Sequence, residues 1–188
     1  IKKRFEFILI GGWATYLYTK ALKSRDIDII VDYPVLSRLG KEFPLRKNHR
    51  LRKYEVVVNE VEIDVYVPYF SDLGIPVEEV MRNVIVVEGF RVPKPEILLI
   101  LKQKAEMERA GSIKGLKDRI DILALLIYSP INWKNYICLI KKHSLANYRG
   151  RLKRLVEGSE REFRELNIVN PREIMKIKRA ILGKLMSG

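Results

Sequence analysis

The chain predicts an α/β (α+β) protein, with a mixed sheet in its first half and a run of helices in its second. Three observations carry this. The start reads strand, glycine pair, helix, strand. Two β-branched runs around a short turn follow, in "YEVVVNEVEIDVYVPYF". Beyond Pro95 the apolar residues recur at helical spacing to the end. The expected boundary lies at Val92 to Pro95, giving a core over 1–93 and a helical, basic region over 94–188.

Taken in order, "RFEFILI" is a buried strand, ended by Gly11 and Gly12 in a tight turn. "WATYLYTKAL" is a helix whose apolar stripe is Ala14, Leu17, Tyr18 and Ala21. "RDIDIIVDY" is the next strand, "LSRLGKEFP" a short helix, and "LRKNHRLRKY" a basic polar segment. The hairpin turns near Asn59 and Glu60. "VIVVEGFRVP" adds one strand or two before Pro93 and Pro95 break the pattern. Five helices are then expected. "PEILLILKQKAEMERA" has proline in its first turn, and "GLKDRIDILALLIY" follows. "SPINWKNYICLIKKH" is expected to be capped by Ser129, with Pro130 at its first position. "ANYRGRLKRLVEG" is the fourth, and "NPREIMKIKRAILGKL" is capped by Asn170.

The 188 residues are enough for one sizeable core, 47% hydrophobic and 31% charged. The net charge of +13 favours anionic partners and says nothing about fold. From Lys141 onward there are 13 Lys and Arg against 5 Glu, so +8 of that charge lies in the last quarter. Cys138 is the single cysteine. It allows no internal disulfide and no zinc cluster, and is expected to be a small buried hydrophobe. No signal peptide or membrane-length apolar run is visible, so a soluble cytoplasmic protein without a membrane partner is expected. A single glutamine, Gln103, beside abundant Lys, Arg and Glu leans toward a thermophilic source.

Ionised carboxylates among isoleucines are costly unless paired or bound to metal. In "RDIDIIVD", Asp26 and Asp28 share one strand face, Ile27, Ile29 and Val31 point into the core, and Asp32 reaches the rim. In "VEIDVYV", Val61, Ile63, Val65 and Val67 form the inner face and Asp64 sits mid-strand on the other. If the two strands are neighbours, the three carboxylates converge. Such a group suits hard divalent cations. A single acid of this kind is more simply a solvated residue on a wet sheet face. The glycine pair adds close backbone approach to a phosphate at a helix start. In the second half Lys102 lies between Leu98, Leu101 and Ala105, either snorkelling or reaching a phosphate. Asp118 and Asp121 share a helical face, where helix-dipole compensation and a local salt bridge are the alternative.

The combination of Gly11, Gly12, Ser24, Asp26, Asp28 and Asp64 resembles the DNA polymerase β-like nucleotidyltransferase superfamily over about half the chain. "ILLILKQKA" followed by "GLKDRIDILALL" resembles the AbiEii-type toxin nucleotidyltransferases through Lys102, Lys117, Asp118 and Asp121. Two positions depart from the pattern. Gly12 stands where serine is frequent, and Leu22 stands where an arginine is frequent, with Lys20, Lys23 and Arg25 nearby.

The resemblance implies transfer of a nucleoside monophosphate from an NTP to an acceptor hydroxyl. Asp26, Asp28 and Asp64 would hold magnesium, two ions, with manganese as the alternative, and Asp64 would take the acceptor's proton. Gly11 and Gly12 would seat phosphates. Ser24, Lys102, Lys117 and Asp121 would complete the nucleotide site. The acceptor could be RNA such as tRNA, a protein or a small molecule; basic charge favours RNA. Toxins of this kind also imply a cognate antitoxin partner. The alternative is a catalytically inactive module of the same fold that binds RNA or a protein. Neither His49 nor His143 receives a role, and Trp133 and Tyr148 are expected in the core rather than stacked on bases.

Overall fold

The computed structural model describes residues 4–58 and 60–187. It divides into two compact units, Ile1–Lys94 and Pro95–Gly188. Asn59, where the hairpin turn was expected, lies outside the described residues.

The first unit carries a five-stranded mixed sheet in the order β1-β2-β5-β4-β3. Its strands are β1 (Ile8–Ile10), β2 (Ile27–Ile30), β3 (Leu45–Asn48), β4 (Lys53–Val58) and β5 (Val61–Tyr66). β2 runs parallel to β5, while the pairs β1–β2, β4–β5 and β3–β4 are antiparallel. One face is apolar because alternate residues in register, among them Leu9, Ile29 and Val65, with Val56 and Ile63 in the next row, are buried. Ile30 is buried too, although it falls on the face that carries the acids. β6 (Val84–Val87) and β7 (Phe90–Pro93) form a separate two-stranded ribbon.

Helix α1 (Gly11–Thr19) follows β1 directly. Gly11 and Gly12 are therefore its first two residues rather than a turn ahead of it, and Gly11 alone, at φ +64°, turns the chain. The helix stops before Ala21 because Lys20 is left-handed and returns its N–H to Tyr16 O. Helix α2 (Tyr33–Glu42) begins earlier than expected because Asp32 caps it, with its Oδ1 accepting the Val35 N–H at 2.9 Å. Asp32 is thus a cap and not a member of the acid face. A short helix α3 (Val77–Arg82) had no clear sequence signal. The basic segment contains strand β3; edge position lets Arg46 and Lys47 stay exposed, which masks the strand pattern.

The second unit is all helical: α4 (Pro95–Glu108), α5 (Ile113–Tyr128), α6 (Trp133–Lys142), α7 (Ala146–Glu157), α8 (Glu160–Glu165) and α9 (Pro171–Ser187). Helix α8 was not foreseen. Ser129 does not cap α6. Its hydroxyl donates to Leu125 O at 2.6 Å and ends α5, and Asn132 caps α6 by accepting the Asn135 N–H. Asn170 caps α9 as expected, accepting the N–H of Arg172 at 2.9 Å. Cys138 is exposed, not buried, because it falls between the buried pairs Tyr136–Ile137 and Leu139–Ile140 on the outer side of α6. Tyr148 is buried and Trp133 packs edge-on against Tyr136. Among the described residues no helix is long and apolar enough to cross a membrane.

Candidate functional site

Register decides which acids meet. Asp28 on β2 is opposite Asp64 on β5, Asp64 is opposite Glu55 on β4, and Glu55 is opposite Arg46 on β3. Residues directly opposite share a face, so three carboxylates and one guanidinium form a row across four adjacent strands, each step about 4.8 Å. Like charges side by side repel, and the neighbouring row supplies the compensation. The Lys53 Nζ lies 2.5 Å from Asp64 Oδ2 and 3.5 Å from Glu55 Oε1. Asn48 donates to Glu55 Oε1 at 2.9 Å, and Arg46 donates to the other oxygen. Hydrogen bonds from Asn48 and then Arg46 hold the Glu55 carboxyl below its ordinary range. Tyr66 Oη reaches Asp28 Oδ1 at 3.4 Å.

The opposite end of the row is built by Gly11. A Cβ placed there would sit 2.1 Å from Asp28 Oδ2, and the backbone is at φ +64°. Only glycine lets the first turn of α1 rest against this carboxylate. The N-cap residue, Ile10, offers that helix start no side-chain cap. The positive end of the helix therefore faces Asp28 and, by the same field, any phosphate brought beside it.

Of the expected site residues, the fold brings Gly11, Asp28 and Asp64 together. Asp26 lies one residue ahead of β2, exposed in the bend, so it does not continue the strand row. Gly12 is buried within α1, and Ser24 is half-buried in the connection before β2. Carboxylate oxygens on adjacent strands are the donor type a hard divalent cation takes. Among the described residues, however, no group of three or more His, Cys, Asp or Glu side chains is gathered as a metal cage. Asp28 and Asp64 supply carboxylates from adjacent strands, with Lys53 already on Asp64.

Lys102, Asp118 and Asp121 form a second cluster inside the helical unit. The Lys102 Nζ is 2.6 Å from Asp121 Oδ2 and 3.3 Å from Asp118 Oδ1, and Arg109 lies 2.8 Å from Asp118 Oδ2. Lys102 is 6% exposed, Asp118 3% and Asp121 1%, so Lys102 does not snorkel; it is the buried counter-ion of two aspartates. Burial pushes the Asp118 carboxyl above its ordinary range, against the pull of Lys102 and Arg109. Lys117, on the same helix, is half-buried. Nearby Glu106 takes a two-pronged ion pair from Arg151, at 2.8 and 3.1 Å, and Arg119 pairs with Glu162.

The sequence reading missed Lys53, Glu55 and Tyr66. Their signal was present: Lys53 and Glu55 alternate on one strand, as Asp64 and Tyr66 do. The pairing of those strands, which makes them one site, is not local information.

The whole chain matches solved structures at low sequence identity. One is the protein JHP933 from Helicobacter pylori, 17% identical, covering 98% of this chain and 87% of that one with a TM-score of 0.50. Another, also from H. pylori and provisionally named a nucleotidyltransferase, is 16% identical, covering 98% and 89% with a TM-score of 0.51. The chain shares the fold of these two proteins. No protein-family model and no curated protein matches it. In this fold Gly11 and the strand pair β2–β5 put the glycine, Asp28 and Asp64 on one sheet face.

Proposed function

We propose that the chain is an AbiEii-like, divalent-cation-dependent nucleotidyltransferase that moves a nucleoside monophosphate from an NTP to a hydroxyl of RNA. The observation that carries the reading is the register match of Asp28 and Asp64 on parallel neighbours, with the Gly11 backbone pressed on Asp28. A solvated wet face would leave Gly11 free to be any small residue, and the 2.1 Å approach argues against that.

The residues divide the work. Asp28 and Asp64 would hold magnesium or manganese; the resemblance adds Asp26, which lies in the bend ahead of β2. When bound, such an ion supplies positive charge to the triphosphate and the attacking oxygen. The start of α1 offers backbone N–H groups to the phosphates. The acceptor oxygen forms a bond to the α-phosphorus as the α–β bridging P–O bond breaks and pyrophosphate departs. Its proton would pass to Asp64, as the resemblance assigns. The RNA assignment rests on the +13 charge. A toxin role and an antitoxin partner follow only from the resemblance. The resemblance also assigns Lys102, Lys117 and Asp121 to the nucleotide, but the buried pairing of Lys102 leaves the acid row as the support for the reading.

Thermal unfolding with each of the four NTPs, with and without magnesium, tests the site in wild type and Asp28→Asn. Labelled-nucleotide transfer to RNA tests the reaction. A metal-dependent rise in Tm that the variant loses, together with label on RNA, is expected. Stabilisation without transfer to any acceptor would move the chain to the inactive-module reading, and no stabilisation by any NTP would remove the nucleotide site.

A further inference from the structure

Lys53 is the least exposed cation near the acid row. Its side chain is 13% exposed, whereas that of Arg46 at the rim is 80% exposed. It opens β4 two residues before Glu55, so the two side chains project from the same face. From there the ammonium reaches across to the neighbouring strand and bridges Asp64 at 2.5 Å and Glu55 at 3.5 Å. Glu55 has other donors in Asn48 and Arg46. Asp64 has Lys53.

We propose that Lys53 is the resident cation of the acid row, and that a divalent ion reaches Asp64 only by displacing its ammonium. This rests on the reading of Asp28 and Asp64 as metal ligands. Three carboxylates on adjacent strands, with no compensating charge, would repel one another and draw in any available cation. Lys53 answers that demand from within the chain. It holds the Asp64 carboxylate toward β4 when no ion is bound. It also weakens the row's attraction for a free divalent ion, because the ammonium and the ion compete for one carboxylate oxygen and repel each other at contact distance. Lys53 is therefore a positioning residue that sets cation affinity, and once displaced its ammonium lies next to the anionic nucleotide that accompanies the ion.

The test is calorimetric titration of the nucleotide-free full chain with manganese chloride at low ionic strength. Wild type, Lys53→Met, Lys53→Arg, Asp28→Asn and the double variant Lys53→Met/Asp64→Asn are compared, with circular dichroism confirming folding. Lys53→Met is expected to bind manganese more tightly, on the order of tenfold. Lys53→Arg, which keeps the charge, should stay near wild type, and the double variant should lose the gain. Should Lys53→Met not fold, Lys53→Gln carries the same expectation. Wild-type binding that Asp28→Asn abolishes, with Lys53→Met no tighter than wild type, would overturn this proposal and leave the metal site standing. Absence of manganese binding in every protein would overturn both.

Discussion

Replacing Lys102 by methionine removes a buried cation that touches both buried aspartates of the helical unit. Asp118 keeps Arg109 at 2.8 Å, while Asp121, 1% exposed, loses the ammonium 2.6 Å away. Breaking a buried ion pair from one side costs about 3–5 kcal/mol. At about 2–4 °C per kcal/mol for a chain of this length, Tm should fall by about 6–20 °C at pH 7. The loss should depend on pH with a defined sign. Asp118 sits above its ordinary value of 3.8, so the folded state holds that proton to higher pH than the unfolded state. Its contribution is therefore full below 3.8 and declines as pH rises through the raised value. Without Lys102 one of the two attractions restraining that rise is gone, and the deficit should widen from pH 4.5 to pH 7. Circular dichroism melts of wild type and variant at both pH values measure this. A fall in Tm of under about 2 °C, equal at the two pH values, would refute the assignment of Lys102 as a buried counter-ion.

Two further outcomes test the sheet unit. Gly11→Ala forces a left-handed residue to carry a Cβ 2.1 Å from Asp28 Oδ2, so it should cost at least about 1–2 kcal/mol and abolish metal-dependent stabilisation by NTP; a variant that melts and responds like wild type would show that the close approach is not required. Glu55 is held below 4.5, so the stability it contributes is present above 4.5 and lost as pH falls through the lowered value. Glu55→Gln should therefore flatten the dependence of Tm on pH between about 5 and 3, and an unchanged slope would detach Glu55 from the network.

Much of the fold was legible because its signals are local. The alternation in "VEIDVYV" marks β5, the prolines at 93 and 95 mark where strands give way to helices, and Asn170 before Pro171 marks the start of α9. The errors were also local, where two signals competed. Ser129 and Pro130 imitate a helix start, but the serine hydroxyl bonds backward to Leu125 and closes the preceding helix. Asp32 follows the acid alternation, yet its carboxylate is taken by the first turn of α2. Cys138 lies in an apolar word, but the 3.6-residue period turns it outward.

By itself the sequence determined which residues are anomalous: Asp28 and Asp64 in strands of isoleucine and valine, the glycine before a helix, and Lys102 among leucines. Spacing along one strand or helix is fixed by backbone geometry, so such anomalies can be read from a single segment. Only the tertiary structure decided their partners. The parallel pairing of β2 with β5 and the antiparallel pairing of β5 with β4 set Asp28, Asp64 and Glu55 in one row. The same pairing gave Asp64 to Lys53, and the packing of α4 on α5 gave Lys102 to Asp118 and Asp121. Those contacts join residues 9 to 36 positions apart, and strand order and helix packing, which set them, are written in no single segment of the chain.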